Sequence, residues 1–266
     1  AHAVLRSLQL EEKLGLVEQD HRDQLEELVQ PIRVSGVDVE TAVATGSTFV
    51  EVIRTALRNK HDLVIKTVSS EGIFQRTFFG SKDMHLLRKC PTPLWLLKPG
   101  EPESFRRILV PLDANNEHAI KHQLGMDLLK VGTSLAERDG AELMIVHAWR
   151  AYEEATLKRH LEAKKFDEYL HTWRRESTNR MTRFLTPYQQ SISSDCIHLV
   201  NGEPGFVIPK FAKDHDVDLV VMGTLGRLSD RGVFIGDTAE RILNRLECSV
   251  LALKPAGFVS PVQLNP

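Results

Sequence analysis

Three glycines, at positions 223, 226 and 236, are the residues of this chain whose type and spacing point most directly to chemistry. They fall in residues 223–238, GTLGRLSDRGVFIGDT, and form the pattern G-x2-G-x9-G. Glycine lets backbone N–H groups approach an anion closely. A helix beginning just beyond adds a partial positive charge at its N-terminus, so a passage from strand through glycines into a helix is phosphate-binding chemistry. The spacing is neither that of the P-loop nor that of the dinucleotide fingerprint. The passage is also long, since connections in α/β units usually run about 2–6 residues and longer ones are often functional. A turn alone would need only one or two such glycines.

Other reactive residue types carry less. Asp113 follows an apolar run and either faces a ligand or closes a turn. Gly202 and Pro204 read equally as turn chemistry or as part of a site. Asp237 and Glu240 have the spacing of an N-cap and its partner in a capping box. His118 and His122 are four apart on a helix, a pair that usually lies on a solvated face. His147 and His198 lie in or beside strands and read as core or rim residues. Cys90, Cys196 and Cys248 are far apart, odd in number and read as small hydrophobes. There is no nucleophile elbow, no framed pair of catalytic carboxylates and no zinc-hydrolase signature.

The elements that must position these residues are legible in the second half. Residues 106–112 (RRILVPL), 142–148 (ELMIVHA), 197–200, 217–222 (VDLVVM) and 249–253 are apolar runs of strand length. Between them lie a helical stripe (Ile120, Leu124, Leu128, Val131, Leu135), one long helix from Leu157 to Leu185, a helix after Pro204 and a helix through Ala239, Ile242, Leu243 and Leu246. Strict alternation predicts parallel strands with crossover helices, a doubly wound Rossmann-like sheet. In such sheets ligands bind at the carboxyl ends of the strands, where Asp113, Gly202 and Gly223 fall.

The chain also repeats itself. A shift of 156 residues carries Gly46 onto Gly202, Asp62-Leu63-Val64 onto Asp218-Leu219-Val220, Gly80 onto Gly236 and Lys98-Pro99 onto Lys254-Pro255. Duplication predicts two tandem domains, 1–100 and 105–266, joined by the turn-rich residues 101–104. The second copy begins near Phe105, so the first is expected to lack about fifty residues at its front. In the first copy Thr67, Ser70 and Ser81 replace Gly223, Gly226 and Asp237, so this half is expected not to bind a nucleotide in the same way.

Composition is that of a soluble globular protein, with 42% hydrophobic and 26% charged residues and a net charge of -2. Nothing in that balance points to nucleic acid or to a membrane surface, and no run approaches a membrane span. The cysteine usage predicts a reducing, cytoplasmic setting.

The glycine spacing, Ile108-Leu109-Val110-Pro111-Leu112-Asp113, Gly202-Glu203-Pro204 and residues 248–255 together resemble the ATP-binding class of the universal stress protein family. The altered first copy, LLRKCPTPLWLLKP, beside an intact second loop is similar to the tandem E group of that family. The resemblance implies an adenine-nucleotide site (ATP or a relative, with Mg2+ as a bridging ion) at Pro111, Asp113, Gly202, Met222, Gly223, Gly226, Arg227, Gly236, Asp237 and Thr238. Asp113 would contact adenine, Gly202 would lie near the ribose, and Gly223, Gly226, Arg227, Gly236 and Thr238 would surround the phosphates. It further implies a stress-response binding module with the two copies packed as a pseudo-dimer along their last strands, and a further homodimer is compatible with it. Asp237 departs from the pattern, because the family's ATP binders carry a hydroxyl residue there. Within 223–241, Arg227, Arg231 and Arg241 balance Asp230, Asp237 and Glu240. Weak ATP binding, or a preference for fewer phosphates, is therefore expected unless a metal bridges. A nucleotide-independent scaffold or small-molecule-binding protein, and a weak ATPase, are the competing readings.

Overall fold

The computed structural model describes residues 10–68, 79–100, 103–115, 118–188, 192–229 and 232–264; of 10–14, 225–229 and 232–234 it describes the backbone alone. The chain divides into two compact units, residues 1–51 and 52–266. In the first unit, helix α1 (Leu10–Val34) is followed by an extended stretch. The Arg33 guanidinium ties the two by donating to the Glu26 carboxylate at 2.5 Å and to the Val39 carbonyl at 2.8 Å. No helix among the described residues is long and apolar enough to cross a membrane.

After α2 (Thr48–Arg58), which spans the division, the second unit runs β1 (Val64–Thr67), α3 (Ser81–Lys89), β2 (Leu94–Leu97), β3 (Arg107–Pro111), α4 (Ala119–Asp139) and β4 (Glu142–Trp149). It continues with α5 (Glu154–His160), α6 (Ala163–Leu185), β5 (Ile197–Asn201), α7 (Pro204–Asp214), β6 (Leu219–Gly223), a hairpin β7 (Leu225–Ser229) and β8 (Gly232–Ile235), α8 (Asp237–Leu243) and β9 (Ser249–Leu253). One seven-stranded sheet has the order β1-β2-β9-β6-β3-β4-β5. Every pairing in it is parallel except β2 with β9. Its strands read as continuous apolar runs because helices cover both faces of a mainly parallel sheet. Ile108, Val110, Ile145, Leu219 and Val221 are fully buried at its centre.

The internal repeat is reproduced in the strand registers. Val64 pairs with Leu94 and Val220 pairs with Val250; adding 156 to the first pair gives the second. Gly46 and Gly202 share an unusual positive φ, 144° and 138°, a conformation that strains any side chain. Across the antiparallel seam Trp95 lies opposite Leu251, which is 95 plus 156, so each copy meets its own equivalent there.

Two expectations need correction. The single long helix from Leu157 to Leu185 is two helices, α5 and α6, broken at Leu161 and Glu162. Glu162 instead takes an extended ψ of 146° before α6. The passage after Gly223 is not an open glycine loop: most of it pairs as the antiparallel hairpin β7–β8. Ser70, Asp230 and Arg231 lie outside the described residues.

Candidate functional site

Strand β3 sits between β4 on one side and β6 on the other, so the chain winds away from it in both directions. At this switch point the loops beyond the carboxyl ends of the strands separate and leave a crevice. A cleft of about 890 Å³ occupies it. Small-molecule sites commonly span about 300–1,000 Å³.

Eight of the ten residues expected at the site line this cleft. Pro111 and Asp113 come from the end of β3, Gly202 from the turn after β5, and Met222 and Gly223 from the end of β6. Gly236, Asp237 and Thr238 come from the passage into α8. Gly226 lies in β7 and Arg227 beside it, and only their backbone is described.

Local chemistry explains each position. Asp113 closes a turn, its Oδ1 accepting the Asn115 N–H at 3.1 Å. Beneath that turn the fully buried His147 ring meets the Leu112 carbonyl through Nδ1 at 3.0 Å. This supporting role lies beyond the sequence reading, which placed His147 only in the core or at the rim. Gly202 has no room for a side chain, because a Cβ would lie 2.4 Å from Val207 Cγ1. A Cβ on Gly223 would come within 2.7 Å of Leu124 Cδ2 on α4, so part of that glycine's purpose is the close approach of this helix. Gly236 is the N-cap of α8 and its N–H donates to the Thr224 carbonyl at 3.3 Å, closing the root of the hairpin. Asp237 is therefore the first helical residue and makes no side-chain cap. The predicted capping box with Asp237 at the N-cap is not formed, since Gly236 occupies that place.

The charge pattern differs from the count along the loop. Glu240 pairs with Arg88 of α3, and Arg241 pairs with Glu203 at 3.5 Å. Both are thereby engaged outside the cleft. Lys121 of α4 and Arg150 beyond β4 line it instead, together with Asp113 and Asp237. Among the described side chains, two cations and two carboxylates therefore line the cleft. Their elements are remote from the glycine passage in sequence, so no local signal marks them. Among the described residues no three His, Cys, Asp or Glu side chains gather as a metal site. The cleft carboxylates fit a magnesium ion only as single ligands beside phosphate oxygens.

The first half carries an ion pair at two of the equivalent positions. Lys66 stands where Met222 stands and Asp83 where Ala239 stands, each 156 residues earlier. Their side chains form an ion pair of 2.8 Å with Asp83 almost fully buried. His118 and His122 show no metal partner group among the described residues, and the His122 ring lies tilted against Phe184 with centroids 4.8 Å apart. Cys90 and Cys248 are buried and Cys196 is half-buried.

Comparison with known proteins gives a consistent relationship. The profile of the Universal stress protein family matches residues 3–98 and 104–254. Universal stress protein E of Escherichia coli K12 is 28% identical over 232 residues, 87% of this chain and 73% of that protein. The universal stress protein E homolog of Haemophilus influenzae is 28% identical over 257 residues, 96% of this chain and 82% of its own. A solved Pseudomonas aeruginosa UCBPP-PA14 chain assigned to the same family superposes with a TM-score of 0.70 at 26% identity, covering 88% of this chain and 78% of that one. A universal stress protein from Archaeoglobus fulgidus shares the fold with a TM-score of 0.62 at 18% identity, covering 92% and 82%.

Proposed function

The chain belongs to the universal stress protein family, and from that premise we propose that its carboxyl-end cleft binds an adenine nucleotide of the ATP type as a binding and signalling module. One observation carries the reading: Asp113, Gly202, Met222, Gly223, Gly236 and Thr238 come from four separate segments of chain and converge on one cleft. Asp113 would face adenine and Gly202 the ribose. Gly223, Gly226, Arg227, Gly236 and Thr238 would surround the phosphates, with Pro111 and Met222 forming apolar walls. Asp237 adds a carboxylate beside the phosphate position, so a triphosphate requires a bridging magnesium ion. Hydrolysis would be slow at most, because the sequence carries no recognisable hydrolase motif. Three cysteines, far apart in sequence and without a CxxC pair, favour a reducing compartment such as the cytoplasm.

The two copies act together as an intramolecular pseudo-dimer, a reading supported by the meeting of Trp95 and Leu251 at equivalent positions. The first half would not bind a nucleotide in this way, because Thr67 and Ser70 replace two of the three glycines and the Lys66–Asp83 ion pair stands at the positions equivalent to Met222 and Ala239.

The test is thermal unfolding and calorimetry with ATP, ADP and AMP, with and without magnesium, on the wild type and on Gly226→Val. The expected result is saturable stabilisation by a nucleotide that is lost in the variant, with ATP needing magnesium. No shift with any nucleotide would instead favour a nucleotide-independent scaffold, the reading that the balanced charges of the cleft support.

A further inference from the structure

Lys254 follows the last strand, β9, and by sequence is merely where that strand stops. Its ammonium group donates to the Leu87 carbonyl of α3 in the first half and, at 2.6 Å, to the Thr224 hydroxyl in the second half. Thr224 is fully buried and is the root of the hairpin: its carbonyl accepts the Gly236 N–H, and its own N–H donates to the Leu253 carbonyl at 3.2 Å. One cation thus joins the end of an α3 turn to the residue that closes the hairpin beside the cleft.

The surroundings keep this cation in place. The Phe258 ring lies 4.8 Å from Nζ. The Ser260 hydroxyl donates to the Lys89 carbonyl at 2.8 Å, so the chain after Lys254 returns over the end of α3. The Cys90 thiol, held protonated by burial, is the titratable neighbour. Burial lowers Lys254 to about 8, which leaves it largely charged near neutrality. A second tie, Arg88 to Glu240, joins α3 to α8, but both side chains are about a third exposed. Exposed pairs of this kind contribute little. At the position equivalent to Thr224 the first half has Val68, which offers no hydroxyl.

We propose that Lys254 is a positioning residue that couples the first half to the nucleotide cleft, holding Thr224, the root of the β7–β8 hairpin, against α3 so that ligand affinity at the cleft depends on both halves. This rests on the nucleotide reading above for its ligand, but the clamp itself is a property of the protein without ligand. Reciprocity follows, because any coupling that lets α3 influence nucleotide affinity also lets nucleotide influence α3.

The experiment is amide hydrogen exchange on the full chain with and without ATP and magnesium, for the wild type, Thr224→Val and Lys254→Met. Thr224→Val keeps the volume and the bond from Lys254 to Leu87, and removes only the link to the hairpin. In the wild type, ATP with magnesium is expected to slow exchange at the Gly236 amide and also at the Cys90 amide, which donates to Leu86 in the last turn of α3. In Thr224→Val the slowing at Cys90 is expected to vanish and ATP affinity to fall by about fivefold, the low end of ordinary coupling. Retained protection at Cys90 with unchanged affinity would overturn the proposal. If the wild type binds no nucleotide, the functional reading fails and the ligand-free comparison decides the clamp. Faster Gly236 exchange in both variants supports it, and unchanged exchange in both removes it.

Discussion

At the scale of single residues, Asp237 decides how the site meets phosphate. It is exposed at the first position of α8, uncapped, where a helix N-terminus would otherwise favour an anion. A carboxylate there competes with the ligand for that field. Asp237→Ser is therefore expected to tighten ATP binding without magnesium by about three- to tenfold, the effect of a screened charge near about 1 kcal/mol, and to change AMP binding little. Calorimetry with EDTA present checks this, and equal affinities for both proteins would remove Asp237 from the account. Lys254 makes a second residue-scale prediction. Its folded-state pKa, about 8, lies below the ordinary value of 10.5, so between those limits the unfolded chain binds more protons than the folded one. Stability contributed by this site then rises with pH through that window. The difference in unfolding free energy between wild type and Lys254→Met should grow from pH 8 to pH 10, measured by urea denaturation. A difference that stays flat or falls would contradict the buried setting.

At the scale of elements, helix α4 is what shapes the cleft floor. Gly132 lets it sit directly on β3, since a Cβ would lie 2.5 Å from Val110 Cγ2. Valine is stiff at χ1 and cannot swing aside. Gly132→Ala should cost about 1–3 kcal/mol of stability, the usual effect of overpacking a core, read from the shift in denaturation midpoint. No loss of stability would mean that α4 packs less closely. The same scale explains what the sequence made legible. Buried parallel strands are continuous apolar runs, so β3, β4, β5, β6 and β9 stand out, and the repeat marks β1 through Asp62-Leu63-Val64 and β2 through Lys98-Pro99. The hairpin does not stand out, because residues 229–232 (SDRG) lack the Asn-Gly or Asp-Gly pair that announces a tight hairpin. The break between α5 and α6 has neither proline nor glycine at Leu161 and Glu162 to signal it. Among site residues, those next to glycines or strand ends were readable. Lys121, Arg150 and His147 were not, because their places in the site come from packing between elements distant in sequence.

At the scale of the molecule, residues 52–266 share one sheet, joined by a seam in which Leu94, Trp95 and Leu96 face Ala252, Leu251 and Val250. Leu96 and Val250 are fully buried there, and the seam carries the backbone ladder from one copy into the next. Elements joined by a continuous buried ladder open together. Amides of β2 and β6 are therefore expected to exchange with the same opening free energy in native-state hydrogen exchange. If β1 and β2 open while β6 and β9 stay protected, the copies are independent and the pseudo-dimer reading is wrong.

The central claim, that the cleft beyond β3 and β6 is an adenine-nucleotide site, is tested most directly by a crystal structure grown with ATP and magnesium. The account predicts density with adenine beside Asp113 and phosphates beside Gly236 and Thr238, and none at Lys66 and Asp83. An empty cleft at saturating nucleotide, or density at another place on the molecule, would contradict it.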